Sequence, residues 1–129
     1  MAPGRVSMSH VEMNRELVLS HVPPEGHFVM VNLFRMKEGQ RFADFIGEMI
    51  SASEETLRDT RGELIYSGKA GGEFTTGEIN WDFISLVRFS SWEAICHSAR
   101  DETFVQKLNS IRRKYLSEWK WVYTTSLNA

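Results

Sequence analysis

The sequence predicts a single α+β domain in which four strands and two long helices follow the order strand, helix, strand, strand, helix, strand, behind a short helical arm. Three observations carry this. Four segments alternate with a period of two, two longer segments place apolar residues at three- and four-residue steps, and 129 residues suffice for one core rather than two. Hydrophobic residues make up 42% and charged residues 25%, ordinary proportions for a folded domain that exclude wholesale disorder.

Residues 1–25 read as a partly helical arm. Ser9 and Glu12 have the spacing of a capping box, and Val11, Leu17 and Val18 form a thin apolar stripe that stops before Pro23 and Pro24. So thin a stripe needs cover from the domain or from a neighbouring subunit.

The domain proper, 26–129, opens with the strand Phe28–Met36. One row holds Phe28, Met30, Asn32 and Phe34; the other holds Val29, Val31, Leu33 and Arg35. After the turn at Lys37, Glu38 and Gly39, the positions Phe42, Phe45, Ile46, Met49, Ile50 and Leu57 mark a helix that should end near Thr60–Gly62. In the second strand Leu64, Tyr66 and Gly68 share a face. The Gly- and Thr-rich stretch AGGEFTTGEIN is a long hairpin connection. A third strand, Trp81 to Phe89, divides into Trp81, Phe83, Ser85, Val87 and Phe89 against Asp82, Ile84, Leu86 and Arg88. Ser90 and Glu93 open a helix that Asp101 and Glu102 divide in two, with Trp92, Ile95 and Ala99 inward in the first piece and Phe104, Leu108, Ile111 and Tyr115 in the second. The last strand, Trp119 to Leu127, sets Trp119, Trp121, Tyr123 and Thr125 against Lys120, Val122 and Thr124.

Two split βαβ halves of this kind build an antiparallel four-stranded sheet with its helices on one face, the ferredoxin-like βαββαβ arrangement. The aliphatic rows are expected to face the helices. That assignment leaves Phe28, Met30, Phe34, Trp81, Phe83, Phe89, Trp119 and Trp121 on the uncovered face, an apolar patch larger than a soluble monomer exposes. A second copy packed sheet to sheet about a two-fold axis is the expected cover, making the chain its own partner.

The net charge is −2, so neither nucleic acid nor an anionic membrane surface is an expected partner. Cys96 is the only cysteine, which excludes an intrachain disulfide and fits a reducing cytoplasm. The opening MAPGRVSMSH lacks the apolar core of a secretion signal, and no run approaches the roughly 20 apolar residues that span a bilayer. A cytoplasmic location is the expectation. His10, His21, His27 and His97 show neither HxH nor HExxH spacing, so no metal site is expected, and no other cofactor motif is present.

Asn32 is the most informative polar residue. An amide in a central strand must satisfy several hydrogen-bonding positions, through Tyr66, Ser85 or the main chain, or through a ligand. Tyr66 and Tyr123 are placed with the aromatic rows, as core phenols or as groups that orient a substrate hydroxyl. Arg35 and Arg88 stand at equivalent late positions of two strands, as structural ion pairs or as an anion site with Asp82 as a matching acid. His97 has a pKa suited to proton transfer over a pocket mouth. Arg112, Arg113 and Lys114 make a short basic run of which at least two members face water, read as a solvated face.

The element order, the aromatic strands and the pieces WDFISLVRFSSWEA and HSARDETFVQKL resemble the dimeric α/β-barrel superfamily, and within it an uncharacterised family. The resemblance covers residues 28–127. More distantly the chain is similar to the antibiotic-biosynthesis monooxygenases, small cofactor-free enzymes that oxidise aromatic polyketides in a pocket between sheet and helices. The resemblance implies a homodimer that binds a small apolar or aromatic molecule, with Asn32, Trp81 and Tyr66 as counterparts of the Asn, Trp and Tyr that line the monooxygenase pocket. On that reading Trp81, Phe34 and Trp121 enclose a ring system, with Ser85, Tyr123 and Arg88 as further binding residues. Asn32 and Tyr66 hydrogen-bond a developing oxyanion, and His97 or Asp82 moves a proton in an oxygenation or isomerisation. The alternative is a dimeric interaction module without catalysis.

Overall fold

The computed structural model describes residues 10–23, 25–53 and 62–127. Eight elements follow in order: α1 (Arg15–Ser20), β1 (Phe28–Met36), α2 (Phe42–Ser53), β2 (Glu63–Lys69), β3 (Phe83–Phe89), α3 (Trp92–Arg100), α4 (Glu102–Tyr115) and β4 (Leu116–Thr124). The sheet order is β2-β3-β1-β4 with every neighbouring pair antiparallel, the ferredoxin-like order. Capping divides the last helical region: the Asp101 carboxylate accepts the Phe104 N–H at 3.0 Å and starts α4 afresh. Leu57 and the expected end of the first long helix lie outside the described residues, as does Ser9 of the expected capping box. The helix of the arm is instead capped by Asn14, which accepts from Leu17 N–H at 3.1 Å.

The sheet faces are the reverse of the expectation. Phe28 and Met30 are each 2% exposed and pack with Val18, Trp92, Ile95 and Ala99 of the helices, while Phe34 packs on Phe42 and Phe45 of α2. The aromatic row of β1 is therefore the helix-facing core. Val29, Val31 and Leu33 point to the uncovered side, in register with Arg88, Leu86 and Ile84 of β3 and with Thr124, Val122 and Lys120 of β4. Large side chains are needed to bridge the gap from sheet to helix layer, and flat β-branched ones suit a sheet surface. Burying a side chain such as Phe28 or Phe45 stabilises the fold by about 1.5–3 kcal/mol.

Two further corrections follow from pairing. A bulge between Leu64 and Tyr66 breaks the alternation of β2, so Leu64 (opposite Val87) faces the helices while Tyr66 (opposite Leu86) faces the uncovered side. Because β1 and β3 run antiparallel, Arg35 and Arg88 lie at opposite ends of the sheet: Arg88 is opposite Val29, and Arg35 is opposite Glu118. Each has its own carboxylate, Arg35 to Glu118 at 3.3 Å and Arg88 to Glu63 at 3.0 Å.

The arm lies on its own domain. His10 O accepts from Trp119 N–H at 3.0 Å along the free edge of β4, Met13 N–H donates to Asn109 Oδ1 at 3.0 Å, and Arg15 Nε donates to Ala99 O at 2.6 Å. These bonds close the β4 edge and one side of the helix layer.

Candidate functional site

Between the sheet and the helices lies a cavity of about 700 Å³, large enough for a small organic molecule. Its floor is Ser85, Val87 and Phe89 of β3 with Trp121 of β4; its roof is built by α2, α3 and α4 through residues such as Ile46, Met49, Phe104 and Leu108. Leu64 and Ser67 of the edge strand and Ile50 of α2 line it while remaining exposed, which sets the mouth at the β2 edge. The sequence leaves room here because Ser85 stands where the neighbouring rows carry aromatic rings, and Ser67 faces it across the β2–β3 pair.

Asn32 sits between Ser85 and Trp121 in the sheet register, half-buried beside the cavity floor. Its Oδ1 accepts from the Trp119 indole N–H at 3.0 Å. Trp119, a diagonal neighbour on the same face, thus takes the part expected of Tyr66, which the bulge turns away. Since Oδ1 is committed to Trp119, the amide nitrogen remains as a donor. Asn32→Ala leaves the indole N–H of the buried Trp119 without its acceptor and is expected to lower stability by about 1–3 kcal/mol in urea unfolding, whereas a change near zero would show that the bond contributes nothing.

The indole of Trp119 also lies under a residue read from sequence as part of a solvated face. The Arg112 guanidinium is 4.1 Å from the Trp119 ring centroid, its residue is only 5% exposed, and it lines the cavity. Nη1 donates to Asn109 Oδ1 at 2.9 Å. Burial pulls its pKa down to about 9. The flanking cations are at the surface with carboxylates, Arg113 on Glu12 at 2.7 Å and Lys114 on Glu48 at 3.0 Å. A helical run RRK turns one member inward every 3.6 residues, and the apolar positions Phe104, Leu108, Ile111 and Tyr115 identify that member as the one on their stripe. That signal was available in the sequence.

Of the other expected site residues, Ser85 and Trp121 line the cavity, and Phe34 is packed away beneath α2. Tyr123 is held among Phe28, His21 and Trp92 in the other half of the core. Tyr66 is 56% exposed on the uncovered face. Trp81 stands over Arg35 at 5.8 Å, and the Asp82 carboxylate accepts from Met36 N–H at 2.8 Å at the end of the sheet. His97 is exposed in a separate open cleft of about 520 Å³ with His27, Arg88 and Glu93. The candidates for moving a proton and for binding a ring therefore do not meet in one place. Cys96 is buried, and burial raises its thiol pKa, so it does not offer a thiolate. Among the described residues no group of three or more His, Cys, Asp or Glu side chains could hold a metal ion, and no helix is long and apolar enough to cross a membrane.

No protein-family model and no curated protein matches the sequence. Solved structures do. The RPA0582 protein of unknown function from Rhodopseudomonas palustris is similar with a TM-score of 0.72 at 15% identity, over 93% of this chain and 98% of that one. A DABB family protein with a ferredoxin-like fold from Mesorhizobium loti gives 0.53 at 10% identity, over 80% and 99%. SnoaB, a cofactor-independent oxygenase from Streptomyces nogalater, gives 0.52 at 12% identity, over 81% and 96%. At these identities the likenesses establish a ferredoxin-like fold shared with proteins of differing function.

Proposed function

We propose that this chain is a homodimeric small-molecule-binding protein that holds one largely apolar, ring-bearing molecule in the cavity between sheet and helices. The observation that carries this is the cavity itself, about 700 Å³, lined mainly by apolar side chains with four serines and Arg112 among them, and open to solvent at one edge. The likeness to a cofactor-independent oxygenase is in keeping with such a pocket. Binding is favoured over proton-transfer catalysis because Arg112 is the one ionisable group among the described cavity-lining residues, and His97 and Asp82 lie elsewhere. The dimeric part of the reading rests on the uncovered sheet face, where Val29, Val31, Leu33, Ile84, Leu86 and Val122 form an apolar field that a second copy about a two-fold axis would cover.

Calorimetric titration with the neutral probe 2-naphthamide tests the cavity. Micromolar to millimolar binding is expected in the wild type, and Ser85→Phe, which projects a ring from the floor into the cavity, is expected to weaken it by more than about tenfold through steric exclusion. Unchanged binding by a folded Ser85→Phe variant would place the ligand elsewhere.

A further inference from the structure

We propose that Arg112 is the anion receptor of the cavity, so that the molecule bound there carries an acidic oxygen group, a carboxylate or a phenolate, on its apolar body. This rests on the reading of the cavity as a ligand site and goes further in naming the ligand's chemistry.

Three observations converge on it. Arg112 is 5% exposed and lines the cavity from α4, its guanidinium stacked on Trp119 at the side of the empty space. Of the five N–H donors on a guanidinium, one has an acceptor among the described residues, Asn109 Oδ1 at 2.9 Å, and Asn109 already accepts from Met13 N–H. None of the ion pairs formed among the described residues includes Arg112, although its two neighbours in the chain, Arg113 and Lys114, each have a carboxylate at the surface.

A cation removed from water without a partner is among the least favourable arrangements a fold can hold, and an apolar residue of similar length would fill the same place without that cost. Stacking on Trp119 at 4.1 Å orients the planar group and recovers part of the loss, but a ring face does not satisfy in-plane donors. What satisfies them is an oxyanion arriving with the ligand, which a guanidinium receives through two parallel hydrogen bonds. The Trp119 indole that supports Arg112 also donates to Asn32, which brings the amide of Asn32, its nitrogen without an acceptor among the described residues, to the same indole. The ring body of the ligand would then lie over Val87, Phe89 and Trp121, its acidic end toward α4.

The test is a matched pair of probes, 2-naphthoate and 2-naphthamide, titrated into the full chain at neutral pH and into Arg112→Met and Arg112→Lys. The acid is expected to bind the wild type about tenfold or more tightly than the amide, the scale of a charge-assisted hydrogen bond. Arg112→Met is expected to abolish the preference while retaining amide binding, and Arg112→Lys, a charge without the planar fork, to retain part of it. Should Arg112→Met not fold, the wild-type ratio and the Arg112→Lys variant decide. Equal binding of acid and amide by the wild type, or a preference that survives in Arg112→Met, overturns the inference. If the amide binds and the acid binds no better, the anion receptor falls and the apolar cavity stands; if neither binds, both readings fall.

Discussion

Replacing Arg112 by Met should make the unliganded protein more stable by about 1–3 kcal/mol, the effect of removing a buried charge that has no counter-ion among the described residues. The direction follows from the pKa of about 9 produced by burial alone. A cation whose folded pKa falls below its unfolded value opposes folding wherever it is charged in both states. That penalty is in full force at pH 7, below the folded value. It fades as pH rises through about 9, where the folded state releases its proton while the unfolded state still holds one. Urea midpoints of wild type and Arg112→Met should therefore differ most near neutrality and draw together above about pH 9. Working against the gain are the stacking on Trp119 and the bond to Asn109, together worth about 1–3 kcal/mol, which is why the expected net is modest. Lower stability by more than about 1 kcal/mol in the variant would mean that the charge is compensated within the fold. A residue that weakens the empty protein and strengthens the loaded one is the usual signature of a binding group.

Val31→Asp should convert the proposed dimer to a folded monomer. Val31 lies in the central strand of the uncovered face, between Leu86 and Val122 in register, and is only half-buried in the single chain. A carboxylate there remains hydrated in the monomer, so far-UV circular dichroism should not change. In a two-fold assembly the substitution enters the interface twice, near its centre, and brings two like charges into a low-dielectric layer at a cost of several kcal/mol. A standard interface of about 800 Å² per partner would not survive that loss at micromolar concentration. Sedimentation velocity reads the outcome. A wild type that sediments as a monomer at all concentrations, or a variant that stays dimeric, would remove the sheet face from consideration as the interface.

The two expectations draw on different parts of the molecule because the helix side and the open side of the sheet have different tasks. On the helix side, aromatic rings from β1, β3 and β4 fill the core at both ends and leave the middle empty around Ser85. On the open side, aliphatic residues form a flat surface edged by the Arg35–Glu118 and Arg88–Glu63 pairs, with Lys120 opposite Leu33. The arm adds to the first task. Met13 lines the cavity, and its N–H shares the Asn109 acceptor with Arg112, so residues outside the βαββαβ unit help to position the guanidinium.

The sequence by itself determined the element order, the ferredoxin-like class and the division of the second helical region at Asp101. Periodicity carries that information because each element's alternation is a local property of the chain. Only the tertiary structure decided which row of each strand meets the helices. A period of two separates a strand's faces without giving either one a sign, and here both rows are apolar. The sign placed Phe28, Met30 and Phe34 in the core and opened the Val31 face. A single bulge at Ile65, invisible to strict alternation, carried Tyr66 away from Asn32. The inward turn of Arg112 could be followed along the stripe of α4, but its lack of a carboxylate among the described residues depends on elements brought together from distant parts of the chain.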